Sequence, residues 1–243
     1  FERQGGRLVP GLERSYRSAD YAGLEAILAD FLGGREAGGV AAAFGVAGPV
    51  TGRTVRTTNL PWVIDADALE HGLGLGPVSL LNDLEATAHG ILELEEASFR
   101  VLNTGEPRPG GNRAVIAAGT GLGEAGMVWD GTGYRPFPTE GGHAGFGPED
   151  ALQRALAAFV AERRGRATWE GVASGSALPD LLDFVEAHTA QSADPAIRAA
   201  METGDPGAEI TRAAMEGRCP VCERTLDLFV RLFDDRFVVQ PDK

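Results

Sequence analysis

The apolar run Ala114-Val115-Ile116-Ala117-Ala118 passes without a break into Gly119-Thr120-Gly121-Leu122-Gly123. Five consecutive apolar residues leave no polar face, so the run reads as a buried strand. Glycines placed directly after a strand let backbone amides come close to a phosphate, and the threonine hydroxyl adds a donor. No Gly-Lys-Ser/Thr is present, so this is not a Walker loop, and the chain continues into another strand at 125–129 rather than a helix. A dinucleotide site is therefore weakly supported. On its own the turn fits phosphate binding and a plain tight hairpin about equally.

Further elements follow the same logic. Residues 40–47 form a short apolar run bounded by glycine and proline, which predicts a buried strand, with 53–58 as a candidate hairpin partner. Residues 78–81 predict a strand that ends at Asn82-Asp83. Apolar residues at helical spacing predict helices over 18–31, 65–73, 84–92, 150–163, 177–188, 206–216 and 219–233. A turn at 130–133 and a returning strand at 134–138 complete a hairpin. Residues 103–112, rich in glycine, proline and polar groups, read as a surface loop. Strands fill the first half and helices dominate the second, which gives an α/β protein with a mixed sheet.

Composition excludes several function classes. A formal net charge of -13 over 243 residues opposes nucleic-acid binding, which draws its affinity from clustered Lys and Arg. Any phosphate must then be held mainly by backbone amides and a metal. No window approaches the about 20 apolar residues needed to cross a bilayer, and the first residues lack a secretory pattern, so the expectation is no membrane and a cytoplasmic location. Cys219 and Cys222 form the single CxxC, and the chain has only four histidines. That is too few ligands for a closed tetrahedral zinc site, so the pair reads as structural and reduced, with a redox or metal role as the alternative.

Three polar stretches could carry chemistry. At Leu81-Asn82-Asp83-Leu84 a polar pair sits where a strand ends and a helix begins, the place where open α/β sheets hold ligands. Asn82 could bond a sugar hydroxyl and Asp83 could take its proton, or Asp83 could simply cap the helix. Thr139-Glu140-Gly141-Gly142-His143 places a carboxylate and an imidazole on one tight backbone, where they could hold vicinal hydroxyls or be ordinary surface groups. Glu170, a few residues before Ser174-Gly175, could be a solvated charge or a further ligand.

Jointly these stretches resemble the bacterial glucokinase family, within the hexokinase and actin-like ATPase superfamily. The resemblance rests on Ala47-Gly48-Pro49-Val50-Thr51-Gly52, Thr58-Asn59-Leu60-Pro61-Trp62, Leu81-Asn82-Asp83-Leu84, Ala118-Gly119-Thr120-Gly121-Leu122-Gly123, Glu140-Gly141-Gly142-His143, and Glu170 with Ser174-Gly175. It extends from about residue 40 to 233, and Cys219-x-x-Cys222 with the helix behind it also looks like that family's. It implies an α/β, actin-like (RNase H-like) ATPase fold whose two lobes of mixed sheet and flanking helices close over sugar and nucleotide. The lobes are expected at 1–93, small and partial, and at 94–243, larger and partial at its end.

Carried over residue by residue, the resemblance makes Asp83 the general base on the sugar 6-hydroxyl. Asn82, Glu140, His143 and Glu170 would hold the other hydroxyls. Gly119, Thr120, Gly121 and Gly123 would line the ATP phosphates, and Ser174 and Gly175 would begin the adenine pocket. The implied activity is phosphorylation of glucose by ATP with Mg²⁺, the first step of glycolysis, in a homodimer. No protein metal ligand is implied.

The family pattern also includes an opening hairpin with an Asp-x-Gly-Gly-Thr phosphate loop and a closing glycine-rich segment at the adenosine site. Neither is present in these residues, so the expectation is a chain truncated at both ends, with an incomplete N-terminal lobe, that binds ATP poorly and phosphorylates little by itself. A non-catalytic sugar-binding or regulatory protein of the same fold is the alternative. A kinase for a related hexose or N-acyl-hexosamine is another, disfavoured because no cysteine- and histidine-rich cluster follows His143.

Overall fold

The computed structural model describes residues 1–237 apart from Gly6, Asn59, Asn103 and Pro107. Readings made above at Asn59, at Asn103 and Pro107 within the expected loop, and over 238–243 lie outside the described residues. By packing, the chain divides into two compact units, one of residues 1–115 with 125–138 and one of 116–124 with 139 onward.

The first unit opens with an antiparallel pair, β1 (Glu2–Gln4) and β2 (Arg7–Val9). The helix expected over 18–31 is two elements, a 3-10 turn at Ser18–Asp20 and then α1 (Leu24–Leu32), which starts after Gly23. There follow β3 (Ala42–Val46), β4 (Val50–Thr51), β5 (Thr54–Arg56) and β6 (Val63–Asp65). Next come α2 (Ala66–Leu73), β7 (Val78–Asn82) and α3 (Asp83–Ile91). Asp65 ends β6 and caps α2, accepting hydrogen bonds from the Asp67 and Ala68 amides.

Strand pairing corrects one expectation. Residues 53–58 do not form a hairpin with 40–47: β5 pairs with β4 and β6, whereas β3 runs parallel to β7, Gly45 opposite Leu81 and Val46 opposite Asn82. The cause is local: Gly52, at φ 63°, reverses the chain between β4 and β5, so β5 lies against β4, and the Thr58 amide reaches Ala47 O, at 3.1 Å. The core of this unit is Val46, Val55, Ile64, Ala66, Leu69 and Val78, with Leu24 and Leu28 packed against it.

The strands β8 (Arg113–Ala118), β9 (Leu122–Trp129) and β10 (Tyr134–Thr139) form a sheet of order β10-β9-β8. The chain changes unit within β8 and again within β9. Neither apolar run is the fully buried strand its composition predicts. In β8 only Val115 is buried, and in β3 exposure alternates with Val46 alone buried. A run made largely of alanine can lie on a half-exposed sheet, because each methyl buries little area.

The second unit is mostly helical: α4 (Ala151–Arg164), α5 (Glu170–Ala173), α6 (Leu178–Thr189), α7 (Pro195–Thr203), α8 (Pro206–Met215) and α9 (Pro220–Phe237). Asp150, Asp194 and Asp205 cap α4, α7 and α8 through their carboxylates. The core is built on Leu156, Leu181, Leu182, Ile210 and Leu232, all fully buried, together with Cys222. Each such leucine contributes roughly 1.5–3 kcal/mol through burial. The buried Gln153 is satisfied, its amide donating to Asp235 at 2.6 Å and its carbonyl accepting from the Glu149 amide at 2.7 Å. This helical layer is the platform on which the polar stretches of the second unit are mounted.

Candidate active site

In the first unit, Asn82 ends β7 and Asp83 begins α3. The cap is Asn82, whose Oδ1 accepts from the Leu84 amide at 3.0 Å and the Glu85 amide at 3.4 Å. Asp83, the residue read above as a candidate cap, is instead the first residue of the helix and is exposed to solvent, with Oδ1 accepting from the Leu84 amide at 2.9 Å. Gly45 sets how closely this helix approaches β3: a methyl there would lie 2.7 Å from Ala86 Cβ. The strand end, the asparagine cap and the small residue at 45 thus fix where the Asp83 carboxylate emerges.

In the second unit, residues 141–143 form a 3-10 turn between β10 and the segment that leads to α4. An antiparallel bridge pairs Gly145 with Thr168, flanked by hydrogen bonds from the Phe146 amide to Ala167 O and from the Trp169 amide to Ala144 O, both 3.1 Å. Arg166 adds a hydrogen bond from its guanidinium to His143 O. This bridge holds His143 beside Glu170. Its Nδ1 lies 3.7 Å from Glu170 Oε1 and its Nε2 lies 3.6 Å from Glu140 Oε2. The imidazole therefore stands between two carboxylates, an arrangement able to bond several hydroxyls through both donors and acceptors.

Glu170 is the more enclosed of the two carboxylates, its side chain 31% exposed against 76% for Glu140. Its Oε2 accepts from the Leu122 amide at 3.0 Å, tying it to the start of β9. Gly121 makes this approach possible, because a Cβ there would sit 2.6 Å from that same oxygen. Gly142 has a comparable role, since a methyl would collide with Leu122 O. Gly121, Gly141 and Gly142 thus serve close packing between segments, a role for which the sequence reading of phosphate approach and a tight backbone makes no allowance.

The turn itself is compact: the Gly119 amide donates to Gly121 O at 2.9 Å. Two further bonds join it to the segment at 174–176, from the Gly175 amide to Gly119 O at 2.8 Å and from the Ser176 amide to Thr120 O at 3.2 Å. Gly123 lies within β9. Ser174 is fully buried, with its hydroxyl 3.1 Å from that of Ser176. Gly119, Thr120, Gly175 and Ser176 form one side of a cavity of about 660 Å³, and Asp205, Gly207, Thr211, Leu226 and Phe229 supply the other. Its size suits a nucleotide-sized ligand.

The sequence reading gives the α8 residues that line this cavity no site role, and Leu226 and Phe229 enter it only within the family-like helix that follows Cys219-x-x-Cys222. Asp205-Pro206-Gly207 carried a usable signal, a capping aspartate, a proline at N1 and a glycine at a close contact. An added methyl at Gly207 would lie 2.9 Å from Gly175 O. Glu124 and Arg236, which pack beneath the 141–143 turn, belong to no motif in the sequence that marks them for a site. Among the described residues no group of three or more His, Cys, Asp or Glu side chains could hold a metal ion.

A family model described as Glucokinase matches residues 2–236. The glucokinase of Nostoc punctiforme is 32% identical over 235 residues, which are 91% of this chain and 69% of that protein. Among solved structures, a glucokinase from an Antarctic psychrotroph superposes with a TM-score of 0.78 at 24% identity, over 94% of this chain and 68% of the other. A ROK family glucokinase from Streptomyces griseus, in complex with glucose and AMPPNP, gives 0.51 at 23% identity, over 86% and 64%. The mixed α/β architecture is thus that of the actin-like ATPase fold which the sequence resemblance implied. With the family model matching residues 2–236 and a glucokinase 32% identical over 91% of the chain, this chain belongs to the glucokinase family.

Proposed function

We propose that this protein transfers the γ-phosphoryl group of ATP to the 6-hydroxyl of glucose. Membership of the family makes it a sugar kinase, a phosphotransferase. The observation that carries the sugar reading is the His143 imidazole set between Glu140 and Glu170. Glucose buries hydroxyls that each need a partner, and a site of carboxylates and an imidazole supplies them, whereas an analogue lacking one hydroxyl would leave a polar group unpaired.

In this proposal Asp83 accepts the proton of the attacking hydroxyl, for which an exposed carboxylate at a helix start is well placed. Asn82, Glu140, His143 and Glu170 hold the sugar. Gly119, Thr120, Gly121 and Gly123 face the phosphates. Ser174 and Gly175 begin the adenosine pocket, where Ser174, being fully buried, acts through Ser176 and the backbone. The support for a nucleotide here is the cavity that Thr120 and Gly175 line, together with the AMPPNP bound by the Streptomyces griseus relative.

Mg²⁺, as a hard cation that binds through substrate phosphates and keeps several waters, would neutralise phosphoryl charge without needing a protein cage. The lobes of the working enzyme are proposed as 1–93 and 94–243, its assembly as a homodimer and its location as the cytoplasm. No helix among the described residues is long and apolar enough to cross a membrane.

A coupled assay tests the assignment. Asp83→Asn should lower kcat about 10²-fold or more while glucose affinity is retained, the range for loss of a general base. Equal turnover in parent and variant would remove Asp83 from this role. Glucose binding with no turnover, in a chain that also carries the Asp-x-Gly-Gly-Thr hairpin and the adenosine segment, would favour the sugar-binding protein instead.

A further inference from the structure

Beneath the turn at 141–143 lies an ion pair that the proposed chemistry does not use. Arg236 Nε donates to Glu124 Oε1 and Nη2 donates to Oε2, both at 2.8 Å, a parallel two-bond geometry. The pair is largely enclosed, with side chains 12% and 28% exposed for Glu124 and Arg236. It joins β9 to α9, residues 112 positions apart in the chain.

Three contacts connect this pair to the groups assigned to the sugar. Glu124 Oε2 fills the space where a side chain at Gly141 would project, so a methyl at 141 would run into it and lie 3.4 Å from Arg236 Nη2. The Glu124 carbonyl accepts from Thr139 Oγ1 at 2.9 Å, and that hydroxyl oxygen accepts from the Gly141 amide at 3.3 Å. The Arg236 guanidinium also lies over the ring of Trp169, 5.3 Å from its centroid, one residue before Glu170. One ion pair therefore touches both the backbone that carries Glu140 and His143 and the residue that leads into Glu170.

We infer that Glu124 and Arg236 are positioning residues for sugar binding, fixing the spacing between the Glu140–His143 turn and Glu170. This rests on the reading of Glu140, His143 and Glu170 as the sugar-holding groups. Neither Glu124 nor Arg236 touches the sugar. Their effect is on geometry, because polar groups misplaced by about 1 Å can lose on the order of 10²-fold in a preorganised site. Loss of one partner strands the other, partly buried charge and releases the turn above it.

The test is glucose affinity measured calorimetrically on the 243-residue chain, with thermal melting recorded for every variant. Arg236→Ala and Glu124→Gln should each weaken glucose binding about tenfold at a temperature well below melting. Arg236→Lys should recover part of the loss, since an ammonium keeps the charge but not the paired bonds. The double variant should be no worse than the worse single, as expected for two groups acting as one unit. Glu170→Gln serves as the reference. If it weakens glucose binding while the Glu124 and Arg236 variants lower only the melting temperature, or if their effects add independently, the inference is wrong. If Glu170→Gln also leaves glucose affinity unchanged, the underlying sugar reading is wrong, and the inference falls with it.

Discussion

His143 Nδ1 stands 3.7 Å from Glu170 Oε1, held there by the bridge between Gly145 and Thr168. Glu140 reaches the other ring nitrogen at 3.6 Å, yet its carboxylate is far more exposed. Water screens the exposed partner more strongly, so the two carboxylates should not act equally on the ring. A long-range ¹H–¹⁵N spectrum of the imidazoles checks this. Glu170→Gln should move the His143 ring nitrogens more than Glu140→Gln does, and the reverse order would show that the bridge does not set the geometry in solution.

The glycines at 121 and 175 should fail in different ways. A methyl at 121 would lie 2.6 Å from Glu170 Oε2, so Gly121→Ala must displace that carboxylate. Glucose affinity should then fall about tenfold, as for loss of a charged hydrogen bond. A methyl at 175 would lie 2.8 Å from Gly119 O and would break the bond that the Gly175 amide makes there. Gly175→Ala should weaken AMPPNP binding and leave glucose binding within about twofold, a change small against the roughly 1.4 kcal/mol of a tenfold effect. Titrations of both ligands into both variants read the contrast directly.

Much of this was legible in the sequence, and the parts that were not have physical reasons. The strand-to-glycine passage at 114–123, the helix expected over 150–163 and the hairpin turn at 130–133 depend on neighbours in the chain, and local pattern sufficed for them. The partner of β3 could not be read, because residues 42–46 pair with 78–82 and periodicity does not report which strand lies alongside. The helix Pro195–Thr203 went unread although Asp194-Pro195 is a good start signal, since nine residues give little periodicity. Within the site, residue types were legible but their mutual contacts were not. Gly121 serves Glu170, and Asn82 rather than Asp83 caps α3, both matters of tertiary geometry.

Asp130 closes the β9–β10 turn. Its carboxylate accepts from the Thr132 amide, from Arg135, from the Thr132 hydroxyl and from the Gly133 amide, and these bonds hold it well below the usual carboxylate range. A depressed folded-state value means that its stabilisation is complete above the ordinary value of 3.8 and is lost as pH falls below it toward the folded value. Asp130→Ala should therefore be less stable than the parent to urea at pH 7, and the difference should shrink below about pH 4. A gap independent of pH would contradict this origin.

Cys219 and Cys222 are both buried at the start of α9, and the Cys222 amide lies 3.4 Å from Cys219 Sγ. Burial, with Cys219 beside it, pushes the Cys222 thiol up to about 12. Unfolding lets that thiol ionise near 9.0, so the contribution is present below that value and is lost as pH rises from there toward 12. Urea titrations at pH 8 and pH 11 should show the parent losing more stability with pH than Cys222→Ala. Equal slopes would mean that the thiol is not the titrating group.

The most direct check is a calorimetric titration of glucose into the parent chain and into the double variant His143→Ala, Glu170→Gln. The expected result is saturable binding at one site per chain in the parent and affinity weakened about tenfold or more in the variant, since each lost charged hydrogen bond is worth about 1.5–3 kcal/mol. Equal glucose affinity in the two proteins would contradict the placement of the sugar between Glu140, His143 and Glu170.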